Sequence, residues 1–318
     1  MTAPRIAAII LNWNNLTDTA ACLDSLNQSH YPNLDIIVVD NDSRDGSAAV
    51  LAGMPGFHFI HNPRNLGFTG GNNVGMQAAF ERGADYVLLL NNDATIAPDA
   101  LGLLLETLES GAEVWASAPL IYYHSQPGVV WSAGGEIDKR RASARMMGTD
   151  EEDHGQFGVA PYPVDYATGC ALLVKRRAVE EFGMLDDRFF MYYEEVEWCS
   201  RMAARGMQVR MVPQARAWHK IIPQARNESP FVHYLMTRNR LLWIRAAHLG
   251  GRVFWSVLLR ENLRTLISWS LRPRWRHKRQ QRQAMWQAIR DVFRGRYGPP
   301  QLQSRPARHE ILLEENSS

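Results

Sequence analysis

Three carboxylates, Glu194, Glu195 and Glu197, sit between the aromatic run Phe189–Tyr193 and Trp198. Flanks of that kind belong in a core or a pocket wall, where an ionised carboxylate is costly unless paired, metal-bound or protonated. Carboxylates so placed can take a proton from a hydroxyl or hold a cation, and perturbed acids gather at sites. The plain structural reading is a helix N-terminus, where acids favour the macrodipole and Glu197 pairs with Arg201 at i+4. It accounts for Glu197 better than for Glu194 and Glu195. A second acid, Asp93, closes Asn91-Asn92-Asp93 directly after the apolar run Tyr86–Leu90. Such a run is the pattern of a strand buried on both faces. Ligands in open α/β sheets collect at strand carboxyl ends, so Asp93 stands where a metal or phosphate would be handled. Turn formation by Asn and Asp is the alternative.

The elements that must carry these acids alternate. Ile6–Leu11 reads as a strand, and Thr17 or Asp18 caps a helix running to Gln28. Leu34–Val39 is the next strand, ending in the polar cluster Asp40–Gly46, followed by a short helix at Ser47–Leu51 and a strand at Phe57–Ile60. The glycine-rich stretch Asn65–Gly75 precedes a helix to Arg82, and Pro98 opens an apolar helix through Leu108. Strand, loop and helix in repetition predict a doubly wound sheet with its loops gathered at one edge. Asn12 and Asn14 follow the first strand, and Asp40 and Asp42 end the second. Amides and acids there can grip a base and ribose. Gly67, Gly70, Gly71 and Gly75 are expected to let the backbone approach a ligand, with the following helix offering N–H groups to phosphate. A flexible turn is the plainer account of the same glycines. The first strand is followed by no Gly-x-Gly-x-x-Gly and the chain has no Walker lysine motif, which disfavours a nicotinamide dehydrogenase or P-loop kinase.

The 318 residues suit one large α/β domain with an appendage. Cys22, Cys170 and Cys199 are too few and too scattered for a disulfide framework or metal pattern and read as buried residues of a reducing compartment. The chain runs straight into its first strand, so no signal peptide is expected, and no apolar run reaches the length of a charge-free spanning helix. The net charge of +2 hides an asymmetry. Residues 1–225 carry 17 Lys and Arg against 27 Asp and Glu, whereas 226–300 carry 16 against 3. An acidic catalytic body and a basic appendage facing an anionic surface are implied.

Taken in order, several stretches resemble the inverting GT-A glycosyltransferases of family 2, especially rhamnosyltransferase-like bacterial members. They are Ile9–Asn14, Val38–Ser47, Asn65–Gly75, Leu89–Asp93, Trp131–Asp138, Thr168–Val174, Phe189–Arg201 and Val212–His219, within roughly residues 5–245. The resemblance implies a GT-A fold, α/β and Rossmann-like with a doubly wound mixed sheet, plus a C-terminal helical appendage. It implies a Mg2+ or Mn2+ ion held by Asp93, the acid of a DxD-like element, and by His219. Asn12, Asn14, Asp40, Asp42, Asn65, Gly67, Gly71, Asn72 and Asn92 would hold the donor nucleotide. The general base falls on Glu195, the second acid of a Glu-Asp-x-Asp pattern that here reads Glu194-Glu195-Val196-Glu197, with Glu194 as the alternative. The reaction implied moves a sugar, rhamnose from dTDP-rhamnose, from a nucleotide-diphosphate donor to a glycan or lipid-linked acceptor. A catalytically silent GT-A scaffold that binds nucleotide or membrane is the competing reading. A nucleotidyltransferase is a weaker third, since it would want a glycine-rich triphosphate loop where Asn12-Trp13-Asn14 stands.

Between Pro119 and Tyr166 the sequence is less regular and reads as acceptor-side loops, with Trp131 either a stacking surface for a sugar or a core residue. Asp165–Val174 returns as a strand, with Gly169 leaving room beside the donor. The expected domains are a catalytic domain over 1–225, a basic helical region over 226–298 and a disordered tail over 299–318. Tyr234–His248 and Arg252–Leu271 read as helices. Arg252, Ser256, Arg260, Arg264 and Ser268 recur every four residues, the pattern of a basic helix at a membrane interface or of a hairpin packed on the body. The run Arg272–Arg282 is strongly basic, but without a base-reading element no nucleic acid is expected as a partner. The expected location is cytoplasmic, on the inner face of the membrane.

Overall fold

The computed structural model describes residues 3–221 and 229–300. Compact units divide the chain in two. The first comprises Met1–Glu136, Arg145–Leu185 and Trp198–Ile221; the second comprises Ile137–Ala144, Asp186–Glu197 and Ile222–Ser318. The expected tail over 299–318 lies, from residue 301 on, outside the described residues.

In the first unit, four strands run parallel in the order β4 (Tyr86–Asn91), β1 (Ile6–Asn12), β2 (Leu34–Asp40) and β3 (His58–His61). Their apolar runs need cover on both faces. Side chains alternate along a strand. Ile6, Ala8 and Ile10 of β1 join a core with Cys22, Leu23 and Leu26 of α1 (Leu16–Asn27) and with Leu101, Leu104 and Leu108 of α4 (Ala100–Glu109). Ile9 and Leu11 point the other way, against α3 (Gly67–Glu81). The register pairs Asn12 with Asp40 and Leu11 with Asn91, so the polar strand ends line up on one edge. The cap of α1 is Asn15, whose side chain accepts from the Asp18 amide, rather than Thr17 or Asp18.

The sheet continues past β4 with antiparallel strands, in the order β12 (Ala171–Lys175), β6 (Val114–Tyr123), β7 (Gln126–Ser132) and β10 (Glu151–Glu152). β13 (Gln208–His219) lies parallel to β6 and antiparallel to both β5 (Ala94–Ile96) and β11 (Tyr162–Val164). Much of the 119–166 segment, expected as loops, is therefore strand. The signal was hidden because Pro119 interrupts the run of β6 and because β10 and β11 are only two and three residues long. The strand expected at Asp165–Val174 starts only at Ala171.

The second unit is helical. A helix over Pro230–Ala246 packs on another over Arg279–Phe293, with Tyr234, Leu235, Ala284 and Ala288 forming a small core with Phe190. Between them a continuous helical segment runs from Gly251 to Leu271, α-helical at Gly251–Ser256 and Arg264–Leu271 and π-helical at Val257–Leu263. A 3-10 turn at Pro273–Lys278 follows. Among the described residues no helix is long and apolar enough to cross a membrane.

Candidate active site

Asp93 lies in the turn between β4 and β5, and His219 is the last residue of β13. Antiparallel pairing sets His219 opposite Ala94, and the Lys220 amide donates to the Asp93 carbonyl at 2.9 Å. Residues 126 positions apart are thereby joined, His219 Nε2 lying 3.0 Å from Asp93 Oδ1. His219 is buried and rests edge-on against Trp131, with ring centroids 4.4 Å apart. Trp131 itself is buried, which settles it as a core residue beneath the histidine and not an open sugar platform. Burial opposes charge on the imidazole, yet the neighbouring Cys170 and Asp93 outweigh it and raise the histidine above its ordinary value. Burial also raises Cys170, keeping it a neutral thiol, so the lasting charge that favours the imidazolium is Asp93.

Asp93 keeps a third of its side chain exposed, so one carboxylate and one imidazole reach the same point. Among the described residues no group of three or more His, Cys, Asp or Glu is arranged to hold a metal. Two protein donors still suit Mg2+ or Mn2+, which keep waters and take phosphate oxygens in place of a full protein cage. The donor set therefore fits the expected ion, provided His219 gives up its proton.

On the neighbouring strand ends the expected nucleotide residues divide. Asn12 is buried and braced on every side. Its Nδ2 donates to Asp40 Oδ1 (2.8 Å), Ser47 Oγ (2.9 Å) and Ser43 Oγ (3.1 Å), and its Oδ1 accepts from Thr19 (2.8 Å). Asp40, also buried, further accepts from the Ser43 amide and lies 3.1 Å from His61 Nδ1. Both side chains hold the 41–47 loop in place. Asn14 and Asp42 have left-handed backbones, with φ of 51° and 64°. Asn14 accepts from the Arg44 amide, and the partly exposed Asp42 carboxylate lies 3.6 Å from the Arg44 guanidinium. Asn65 Oδ1 accepts from the Gly67 amide at 2.7 Å, and Asn92 donates to Thr19 Oγ1 at 3.0 Å.

The glycine-rich stretch is not an open loop, because α3 starts at Gly67 and carries the other glycines inside it. A Cβ on Gly71 would sit 2.3 Å from Leu11 Cδ1, and one on Gly75 would sit 2.3 Å from Ile9 Cγ2. These glycines let the helix approach β1. Asn72 is buried, donating to the Phe68 carbonyl at 2.8 Å. Gly169 makes room for the Phe68 ring. Two residues had no assigned role in the sequence. Asn41 ties the loops together, donating to the Gly67 carbonyl and accepting from Asn62. Trp13 stands 54% exposed at this edge, and its place between two polar residues after a buried strand was the available signal.

In the second unit, Glu194, Glu195 and Glu197 form the first turn of α6 (Glu194–Ala203), as the helix N-terminus reading required. Trp198 onward belongs to the first unit, where Arg201 donates to the carbonyls of Phe182 and Met184. Glu194 and Glu197 are buried and Glu195 is partly so. The approach to this turn is strained: Phe190, Tyr192 and Tyr193 have φ of 67°, 69° and 71°. Side chains of this size avoid the left-handed region, and each such residue costs on the order of 1–3 kcal/mol unless its surroundings impose it. The imposing group is Asn239. Its Nδ2 lies 2.9, 2.7 and 2.8 Å from the carbonyls of Phe189, Met191 and Tyr192. Arg238 Nε donates to Asn239 Oδ1 at 2.9 Å, fixing the amide orientation, while its Nη2 donates to the Phe189 carbonyl at 2.9 Å. Tyr193 stacks near Trp243, and burial pushes its phenol up, with Arg240 opposing and Glu195 and Glu261 adding to the rise. Asn239 and Arg238 were legible only as polar residues in an apolar helix. Asp93 and His219 thus belong to the first unit, and Glu194, Glu195 and their clamp to the second.

A model of glycosyl transferase family 2 matches residues 7–182, more than half of the chain. The chain belongs to glycosyl transferase family 2. Its relatives include a low-salt glycan biosynthesis hexosyltransferase, Agl10, of Haloferax volcanii, 29% identical over 65% of this chain and 66% of the relative. The dTDP-rhamnosyl transferase RfbF of Shigella flexneri is 23% identical over 76% and 81%. An N-acetylglucosaminyl-diphospho-decaprenol L-rhamnosyltransferase of Mycobacterium tuberculosis is 26% identical over 62% and 70%. Within the family the chain is rhamnosyltransferase-like. A structure of GalNAc-T7 with UDP, GalNAc and Mn2+ superposes with a TM-score of 0.60 at 13% identity, covering 93% of this chain and 59% of that one. The fold is GT-A. The chain spans just under two thirds of Agl10 and about three fifths of the GalNAc-T7 chain. Its two acidic elements lie on separate units.

Proposed function

We propose that this family 2 enzyme is an inverting, metal-dependent rhamnosyltransferase that takes rhamnose from dTDP-rhamnose and places it on a lipid-linked glycan at the cytoplasmic face of a membrane. The observation that carries the metal and donor part is the Asp93–His219 pair at the carboxyl edge of the sheet. A divalent ion held by these two residues would neutralise the charge gathering on the departing diphosphate. In this reading Asp42 and Asn14 hold ribose and base, and exposed Trp13 offers a face for the base. Glu195 accepts the proton of the acceptor hydroxyl as that oxygen bonds to the anomeric carbon. The bond from this carbon to the diphosphate oxygen breaks on the opposite side, its electron pair leaving with the nucleotide, and the configuration inverts. Glu194 is the alternative base. Asn239 and Arg238 position either one by holding the strained turn.

The choice of dTDP-rhamnose and of a lipid-linked acceptor rests on the relatives named for those chemistries. The test is nucleotide diphosphate release from a panel of dTDP-, UDP- and GDP-sugars with Mn2+ or Mg2+, paired with thermal shift. dTDP-rhamnose is expected to bind and turn over best. Preferential turnover of another sugar overturns the donor assignment, and absence of any donor binding by folded protein overturns the enzyme reading.

A further inference from the structure

The helical segment Gly251–Leu271 of the second unit carries two faces. Phe254, Val257, Leu258 and Leu266 are buried, whereas Trp255, Leu259, Ile267 and Leu271 are 51%, 51%, 57% and 76% exposed. With partly buried Leu263, the exposed apolar residues fall at 255, 259, 263, 267 and 271, a strict interval of four. In an α-helix such a row drifts by roughly 40° per step, because four residues exceed the 3.6 of one turn, and four steps would carry it roughly 160° around the axis. The π-helical stretch Val257–Leu263 lies in the middle of the row. Its i→i+5 bonds turn the chain less per residue, so the row drifts back. The π stretch keeps Leu271 close to the face presented by Trp255. Phe293 is 54% exposed with its ring centroid 6.2 Å from that of Trp255, which extends the apolar edge.

Beside this row runs a basic one. Arg252, Arg260, Arg264 and Arg272 are exposed at positions one residue offset, and exposed Arg274, Arg276 and Arg279 continue it. Only Glu261 interrupts the charge on this helix, and Arg240 holds it at 2.6 and 3.1 Å. Two partners other than lipid fit poorly. A second copy meeting this edge around a two-fold axis would bring basic rows together. A nucleic acid would match the arginines and leave the apolar row in water.

We infer that the Trp255–Leu271 edge is a membrane-docking strip, straightened by the π turn, that lies in the headgroup region of an anionic phospholipid bilayer. The apolar row enters the acyl boundary and the arginines meet lipid phosphates. This strip deepens the proposed lipid-linked acceptor reading by naming the surface at which that acceptor would be met, but lipid binding can be measured without any sugar.

The test is co-sedimentation of the full chain with vesicles of phosphatidylcholine alone or mixed with phosphatidylglycerol. Binding to the anionic vesicles and weakening by salt are expected. The double variant Leu259→Ser/Ile267→Ser is expected to lower partitioning by at least about tenfold, and Arg260→Gln or Arg264→Gln by roughly fivefold each. All four side chains are exposed, so unfolding temperature and transfer to a soluble acceptor analogue should be unchanged. Absence of vesicle binding by the parent protein, or variants that bind as the parent does, overturns the inference. So does a result in which the serine variants turn a dimer into a monomer while vesicle binding persists. Vesicle binding without transfer to any acceptor would defeat the proposed function and leave the docking strip standing.

Discussion

The two acidic elements of this enzyme are positioned by different means. Asp93 and His219 meet because backbone pairing of β5 and β13 registers them, with little help from side chains. Glu194 and Glu195 begin a helix whose approach is held in a left-handed conformation by Asn239 from a helix more than forty residues away. Strand register is stiff, local and repeated over many hydrogen bonds, so it tolerates a substitution. A strained turn held by one amide and one guanidinium has little such redundancy. This molecule is therefore fragile at the clamp more than at the sheet.

The sharpest test of the division is chemical. Glu195→Gln should lower turnover by about 10²–10⁴-fold, the usual worth of a positioned general base, with donor affinity unchanged. Asp93→Ala should instead weaken Mn2+-dependent donor binding, measured by calorimetry with nucleotide diphosphate. If Glu195→Gln keeps its rate and Glu194→Gln loses it, the base is reassigned by one residue. If both keep it, the second unit supplies no base.

Next in size is the clamp. Asn239→Asp replaces an N–H donor facing three carbonyls by a carboxylate that repels them, and Asn239→Ala removes that donor from the Met191 and Tyr192 carbonyls while Phe189 keeps Arg238. A loss of about 1–3 kcal/mol in stability is expected for the alanine variant and more for the aspartate. A merely structural role would leave surviving folded enzyme at the parental rate. A positioning role lowers kcat in folded protein while the donor KM holds, and that split is the measurement.

How far the sequence revealed this arrangement depended on period and distance. The parallel strands were legible because continuous apolar runs ending in polar residues have one reading, and Asp93 and His219 were found at strand ends. Within the antiparallel half, 119–166 read as loops because Pro119 interrupts the run of β6 and because β10 and β11, two and three residues long, are too short to show alternation. The glycines of α3 were legible as close-approach residues, but nothing local says whether the approaching group is a phosphate or Leu11. Asn239 could not be found by spacing, because its partners are carbonyls and carry no side-chain signature. The π turn was equally hidden, since the four-residue interval of Arg252, Ser256, Arg260, Arg264 and Ser268 reads as an ordinary amphipathic helix.

The His219 pair gives a smaller effect that separates register from electrostatics. Burial opposes charge on its imidazole, ordinarily near 6.5, yet the Asp93 carboxylate pushes it upward, which favours the charged ring in the absence of metal. A raised value means that stability from the pair is full below about 6.5 and is lost as pH rises through the raised value. Metal binding works in the opposite sense, because ligation needs the neutral ring and must expel the proton. Mn2+ affinity should therefore rise with pH across the neutral range, and His219→Gln should flatten that dependence while lowering affinity. An affinity that falls with rising pH would show that His219 does not ligate.

The smallest expected change in chemistry comes from Gly71→Ala, and it tests whether the glycine run serves packing or phosphate. The added methyl would lie 2.3 Å from Leu11 Cδ1 and 3.0 Å from its Cδ2, so either α3 or the leucine must move. Overpacking of this kind costs about 1–3 kcal/mol, read as a lowered unfolding temperature. The methyl faces β1, so folded enzyme should bind nucleotide within about twofold of the parent, a ratio worth less than the RT ln 10 of a tenfold change. A Gly71→Ala protein of normal stability that had lost nucleotide binding would reverse this assignment and return the glycine to the donor site. Leu11→Ala in the same chain should restore the lost stability in part, because it removes the side chain with which the new methyl collides, and rescue of that kind has no explanation in a phosphate contact.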